Sequence, residues 1–392
     1  MNQTAEQDRP PLIAPTRPAT FIGAARYKNH SYGSNHPLGI PRVSLTVELI
    51  RTYGALGDEE YLIGRKATVA ELEWFHTREY VAAMQRCEAL GKVLDRYRKR
   101  HNIGNFENPY FPGFFTTPAI ATGSSVQAAE QVLAGRTAFN PAGGMHHAMP
   151  EQARGFCYFN DPALGILRLR REGLRVLYLD IDAHHGDGVE YAFRDDPEVV
   201  TCSLHMDTEY AYPFQGGRLD DTGPHGNAVN LPLPQGLNDT EYRTVFEALW
   251  PRVLARARPD AVVLQAGTDM LLPDPLGKFS ISTQLFLEVV ARVLRDSPRL
   301  LVLGGGGYHP LTLARCWTGV WAILSGRDLP AAIPAAGEAL LRAVDWDQDE
   351  DEDYFEALFA SRLDPDRGGA VRDDVRARLE RLLAHHPMLR GT

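Results

Sequence analysis

Four stretches of this 392-residue chain carry side chains able to do chemistry. In "LYLDIDAHHGDG" (177–188) an apolar run ends in Asp180, Asp182, His184, His185 and Asp187. Asp182 and His184 are two apart and so share one face of an extended chain. Together with Asp269, from "QAGTD" (265–269), they offer two carboxylates and an imidazole. That donor set suits Zn2+ or Fe2+. Three protein ligands leave coordination positions open, the arrangement of a catalytic metal rather than a structural one. "PAGGMHH" (141–147) supplies His146 and His147 after two glycines that let the backbone bend. Asp180 and Asp187 are natural partners for these two rings. A carboxylate on one ring nitrogen fixes the tautomer and raises the basicity of the other, which suits proton transfer near neutral pH.

"LGGGGYH" (303–309) ends in Tyr308. No Lys-Ser/Thr follows, so it is not a phosphate loop, and His309 stands where a dinucleotide turn needs its last glycine. The run reads instead as a flexible backbone carrying a phenol into a cleft, where its hydroxyl can stabilise an oxyanion. A Lewis-acid metal, an oriented histidine base and a neutral donor together suit amide hydrolysis without a covalent intermediate. No GxSxG elbow is present. Taken singly, each of these residues is better explained as a strand cap, a solvated histidine or a core tyrosine. Their convergence carries the argument.

The elements that must position them are short apolar runs at 136–140, 174–182, 198–206, 260–267 and 299–307, with helical stretches between several of them, such as 240–257 and 282–297. Continuous apolar runs predict strands covered on both faces. Strand–helix alternation predicts an α/β domain with a mostly parallel central sheet and helices on both faces. Ligands in such sheets bind beyond the carboxyl ends of the strands, where these residues fall. Residues 1–19 read as a flexible tail and 20–392 as one catalytic domain. Val371, Val375, Leu379 and Leu382 predict a packed terminal helix over 370–383, in a helical extension from about 345. The acidic run at 346–355 reads as a solvated face, and the His pair in "AHHP" (384–387) as solvated.

The net charge of −9 argues against nucleic acid as a partner. The four cysteines are widely spaced and form no CxxC pair, as expected of reduced thiols in a cytoplasm. No apolar run is long enough to span a membrane, and no signal peptide is evident. A homo-oligomer is left open.

These stretches resemble the zinc-dependent histone deacetylase and acetoin-utilisation family, on the arginase–deacetylase fold. "NHPLGIPR", "PAGGMHHAMPEQARGFCYFND", "LYLDIDAHHGDGVEYAF", "CSLH", "LQAGTDMLLPDPLGKFSIS" and "LGGGGYHPLTLARCW" carry the resemblance over about 35–320. It implies that Asp182, His184 and Asp269 are zinc ligands. It makes His147 the general base and acid, partnered by Asp187, and His146 its electrostatic partner, held by Asp180. Tyr308 would polarise the carbonyl. A structural potassium would sit on Asp180, Asp182, His184, Ser203 and Leu204. Gly155 and Phe156 would form one wall of an acyl-lysine tunnel and Tyr212 the other, with Arg42 behind the site near an acetate exit.

Three positions depart from the pattern. Glu107 stands where eukaryotic members have an aspartate that holds the substrate backbone. Met145 stands where Leu or Trp is common in the inner pocket. Leu276 replaces the glutamate of polyamine-specific members. The stretch 207–222 is acidic and is expected to frame the mouth and favour cationic substrates. The implied activity is removal of acetyl or other acyl groups from lysine side chains of proteins, peptides or small acylated amines. The rivals are an acetylpolyamine amidohydrolase, a binuclear manganese enzyme and a non-catalytic binding protein.

Overall fold

A computed structural model describes residues 16–29, 32–33, 36–346 and 352–390. Its centre is one sheet of eight strands: β1 (Ala19–Gly23), β2 (Tyr61–Ile63), β3 (Thr137–Asn140), β4 (Val176–Asp180), β5 (Val199–Met206), β6 (Ala228–Leu233), β7 (Ala261–Gln265) and β8 (Leu300–Leu303). Every pairing is parallel, in the order β2-β1-β3-β8-β7-β4-β5-β6. Alternate residues feed two cores. On β4, Leu177 and Leu179 enter one core, while Val176 and Tyr178 enter the other. β7 and β8 divide in the same way, so a continuous apolar run is needed on each strand. Helices Asp239–Ala257, Thr283–Asp296 and Pro310–Ser325 cover the first face. Thr116–Leu133 and Asp161–Arg170 cover the second. The buried indoles of Trp317 and Trp321 donate to the Ala266 and Ala55 carbonyls at 3.0 and 2.6 Å, which satisfies their N–H groups.

The five expected strands are present but shorter than their apolar runs. The residues trimmed from the carboxyl ends of β4, β7 and β8 leave the ladder to build the rim described below. β1, β2 and β6 were not expected. Asn230 and Pro232 hide β6, and proline is tolerated there because β6 is an edge strand. β1 overlaps the limit set for the tail: Arg17 already donates to the Ser297 carbonyl at 2.9 Å, and Ala19 is in the sheet. The rest of the proposed tail, 1–15, and residues 347–351 of the acidic run lie outside the described residues.

The terminal helix runs Asp373–His385 and buries Val375, Leu379 and Leu382. The reading of "AHHP" needs correction. His386 is buried, its Nε2 is 2.8 Å from the Ala228 carbonyl, and it pins the end of this helix to β6. Sequence context gives no sign of this, because the partner lies 158 residues away. His386→Ala is expected to cost about 1–3 kcal/mol in urea denaturation while leaving turnover unchanged. Burial lowers the imidazole's proton affinity. The wild type is therefore expected to lose stability as pH falls below about 6.5, and the variant to lose less.

Candidate active site

Four neighbouring strands, β3, β8, β7 and β4, end along one stretch of the sheet's rim, and each continues into one of the reactive stretches. Beyond β4 and β7, one ligating atom each from Asp182, His184 and Asp269 lies within 4.8 Å of the others. All three residues are buried. His184 Nδ1 is 2.9 Å from Asp269 Oδ2 and 3.3 Å from Asp182 Oδ1. Gln265 Nε2 and the Gly306 N–H donate to Asp182 Oδ2 at 2.6 and 2.7 Å, and the Ala183 N–H to Asp269 Oδ1 at 2.9 Å. Burial opposes the charge of Asp182, but charged His146 and the His184 hydrogen bond outweigh it and hold Asp182 well below the usual carboxylate range. Asp269, buried beside that charge, is pushed up to about 7. Burial opposes the charge on His184 too, yet its two acid partners raise it to about 10. A cluster that holds protons this tightly has negative charge to share with a cation, and its donors fit a zinc-type ion.

The four glycines before Tyr308 are not a flexible carrier, as the sequence implied. They are packed on different neighbours: a Cβ would lie 2.2 Å from the Pro141 carbonyl at Gly304, 2.3 Å from Gln265 Nε2 at Gly305, 2.0 Å from Asp269 Oδ2 at Gly306 and 2.1 Å from Thr268 Oγ1 at Gly307.

The histidine pair stands beside this cluster. His146 Nδ1 is 2.8 Å from Asp180 Oδ2, and His147 Nδ1 is 2.8 Å from Asp187 Oδ1. The two Nε2 atoms are 3.0 Å apart. With each Nδ1–H donated to its carboxylate, that contact needs one further proton, so the pair carries a single positive charge. Burial disfavours charge on both rings. Asp180 and Asp182 overcome this for His146 and raise it to about 9. Burial and the charged neighbour hold His147 down to about 4. The proton therefore resides on His146 and faces His147 Nε2, and His147 is the neutral ring of the pair. Asn160 Nδ2 donates to the His146 and Ala148 carbonyls at 3.3 and 3.0 Å. Asp161 accepts from the Gly144 and Met145 N–H groups at 3.0 and 2.8 Å, and so sets the loop that carries both rings.

His147, His184 and Tyr308 all open into one cleft of about 350 Å³. Burial holds the Tyr308 phenol well above its ordinary value, which keeps it a donor. Asp274 accepts the Tyr308 N–H at 2.7 Å and those of Leu276 and Gly277 at 2.9 and 3.0 Å. Gly155, Phe156, Tyr212 and Leu276 line the cleft, with Met206, Tyr210, Phe214 and Lys278. Gly155 and Phe156 both have positive φ, +53° and +67°, in a tight turn between Arg154 and Cys157. For Phe156 this is an uncommon backbone state held by its surroundings. Glu107 Oε1 accepts from the Gly155 N–H at 2.6 Å and from the Tyr212 hydroxyl at 3.1 Å, so it ties the two walls together.

The stretch 207–222 meets the cleft through its aromatic residues. From 207–222 the cleft takes Tyr210, Ala211, Tyr212 and Phe214, while Asp207 turns away to Arg378 at 2.7 Å. Met145 and Arg42 line a separate cavity of about 70 Å³ behind the site, where Arg42 donates to the Gly305 and Gly307 carbonyls. Ser203 pairs in register with Asp180, its Oγ is 2.8 Å from His205 Nδ1, and Leu204 follows it on β5.

Gln265, Asn160, Asp161, Asp274 and Arg154 escaped the sequence reading as site residues. Only Asn160-Asp161 left a signal there, as a helix start.

The Histone deacetylase domain model matches residues 36–324. Histone deacetylase 8 of Xenopus tropicalis is 38% identical over 297 residues, 75% of this chain and 80% of that protein. Histone deacetylase RPD3 of Saccharomyces cerevisiae is 38% identical over 325 residues, 80% of this chain and 74% of that protein. The crystal structure of an HDAC homolog from Aquifex aeolicus is 42% identical and superposes with a TM-score of 0.90, covering 93% of this chain and all of that one. A crystal structure of an HDAC homolog complexed with SAHA gives the same figures.

A Cβ on Gly155 would lie 2.5 Å from His147 Cδ2 and 2.7 Å from Tyr212 Cε1. Gly155→Ala is therefore expected to lower kcat/KM by about 10²-fold, since displacement of a reacting group by about 1 Å costs that much. Thermal unfolding should show the variant still folded.

Proposed function

The chain belongs to the histone deacetylase family, and on that premise we propose that it removes acetyl groups from acyl-lysine side chains of proteins or peptides. The observation that carries this reading is the single cleft shared by His147, His184 and Tyr308, with Asp182 and Asp269 at its base.

Asp182, His184 and Asp269 would hold the metal, for which zinc, with Fe2+ as the alternative, fits the two-carboxylate, one-imidazole donor set. When bound, such an ion supplies Lewis acidity to the acyl carbonyl and makes water a stronger acid. The chain's own residues do the rest. Phe156, Tyr212 and Leu276 flank the lysine stem and exclude bulk water. His147 Nε2, turned from the His146 Nε2–H to the attacking water, takes its proton as the C–O bond forms. Tyr308 donates to the oxygen on which charge develops. His147 then returns the proton to the departing lysine nitrogen as the C–N bond breaks, and acetate and free lysine are released. His146, kept charged by Asp180, adds positive potential beside the developing anion.

A second cation, potassium, fits Asp180, Asp182, His184, Ser203 and Leu204. In support, the buried carbonyls of Asp182 and His184 accept no backbone hydrogen bond among the described residues. Against the polyamine alternative, the cleft has Leu276 and Lys278 on one side, neither of which attracts a second ammonium, and its one carboxylate, Glu107, is engaged by Gly155, Tyr212 and Asn102. The four cysteines are free and buried, which supports a reducing, cytoplasmic setting. No helix among the described residues is long and apolar enough to cross a membrane.

Tyr308→Phe is expected to lower turnover of an acetyl-lysine peptide by about 10²–10³-fold, the usual loss for an oxyanion donor. Unchanged turnover would remove Tyr308 from the mechanism. Chelation should abolish activity, and added Zn2+ or Fe2+ should restore it. In a side-by-side assay, acetyl-lysine peptide should be turned over faster than an acetylated polyamine; the reverse order would favour the rival substrate class.

A further inference from the structure

Asp187 is engaged on both of its oxygens. Oδ1 faces His147 Nδ1 at 2.8 Å, and Oδ2 faces Arg154 Nη1 at 2.9 Å, an ion pair without hydrogen-bond alignment. The Arg154 side chain is only 16% exposed. Its main chain opens the tunnel-wall turn, with its N–H 3.1 Å from the Cys157 carbonyl and its own carbonyl accepting the Cys157 N–H at 2.8 Å. The residue that follows is Gly155, packed against the His147 ring. The other histidine is supported differently. Asp180 is held by neutral donors, the Tyr178 hydroxyl at 2.8 Å and the Asp182 N–H at 3.1 Å. Only the carboxylate behind the proposed base meets an arginine.

We infer that Arg154 is a positioning residue of the reaction: it fixes Asp187 with Oδ1 toward His147, and it ties the orientation of the base to the wall that receives the acyl-lysine stem. The inference rests on the reading of His147 as the base. An aspartate carboxyl group rotates easily about its last torsion, so a partner on one oxygen alone does not fix it. A cation against the second oxygen does, because its attraction for the charge needs no hydrogen-bond alignment. Asp187 needs this because a cleft of about 430 Å³ opens on its far side, lined by Arg154, His185, Asp187, Glu190 and Arg194. Without the guanidinium, water in that cleft would compete for Oδ2.

The test is steady-state deacetylation of an acetyl-lysine peptide by the metal-loaded full chain and its variants. Arg154→Met is expected to lower kcat by about 10–100-fold, the usual loss for a group that orients a histidine partner, with KM changed by less than about twofold. Arg154→Lys should recover most of kcat. On an Asp187→Asn background, Arg154→Met should cost less than about twofold more, because its target is already gone. Arg154→Gln gives the same contrast should the methionine variant fail to fold. Losses that multiply in the double variant, or a lysine variant no better than methionine, would overturn the inference and leave the deacetylase reading intact. A wild type inert on every acyl-lysine peptide would overturn that reading instead.

Discussion

Two carboxylates buried side by side under one imidazole set the conditions for everything around them. Asp182 and Asp269 are almost completely shielded from water. An uncompensated buried carboxylate is among the costliest groups a fold can contain. The protein offsets part of that cost with fixed donors: the Gln265 amide and the N–H groups of Gly306, Ala183 and His184. Those donors leave the acids ionisable and the cluster short of positive charge. A divalent cation would complete it.

The sheet makes this arrangement possible. Parallel strands deliver all their carboxyl ends to one rim, and β3, β8, β7 and β4 are adjacent there although they are far apart in sequence. The loops that leave them must then pass within van der Waals distance of one another, which explains the glycines: a Cβ on Gly306 would collide with an acid. The histidine pair adds a second electrostatic constraint. One shared proton settles on the ring facing Asp180 and Asp182, and leaves the ring facing Asp187 and Arg154 neutral. Identical side chains thus take different tasks from their neighbours alone.

Much of this was legible in the residues themselves. The apolar runs of β3, β4, β5, β7 and β8 were readable because both faces of those strands are buried, and the acids and histidines stand out against them. β2 was hidden by its shortness, β1 by the polar, Pro-rich stretch that runs straight into it, and β6 by Asn230 and Pro232. The supporting partners were unreadable for a different reason. Gln265, Asp161, Asp274 and Arg154 are common residue types whose meaning lies in a contact made by folding. Arg154 meets Asp187 across a turn and a helix start, and no local pattern announces that. His386 shows the opposite error: a histidine that looks solvated in sequence is a buried anchor. In the acidic stretch 207–222 composition gives charge without direction, and it is the aromatic residues that line the cleft.

The decisive measurement is the binding stoichiometry of zinc to metal-stripped protein, followed by calorimetry or competition with a chromogenic chelator, for the wild type and for Asp182→Asn, His184→Ala and Asp269→Asn. One tight equivalent per chain in the wild type, lost in each of the three variants while they remain folded, is the predicted result. A wild type that takes up no tight equivalent, or triad variants that bind as well as it does, would contradict the claim that these three side chains form the metal centre.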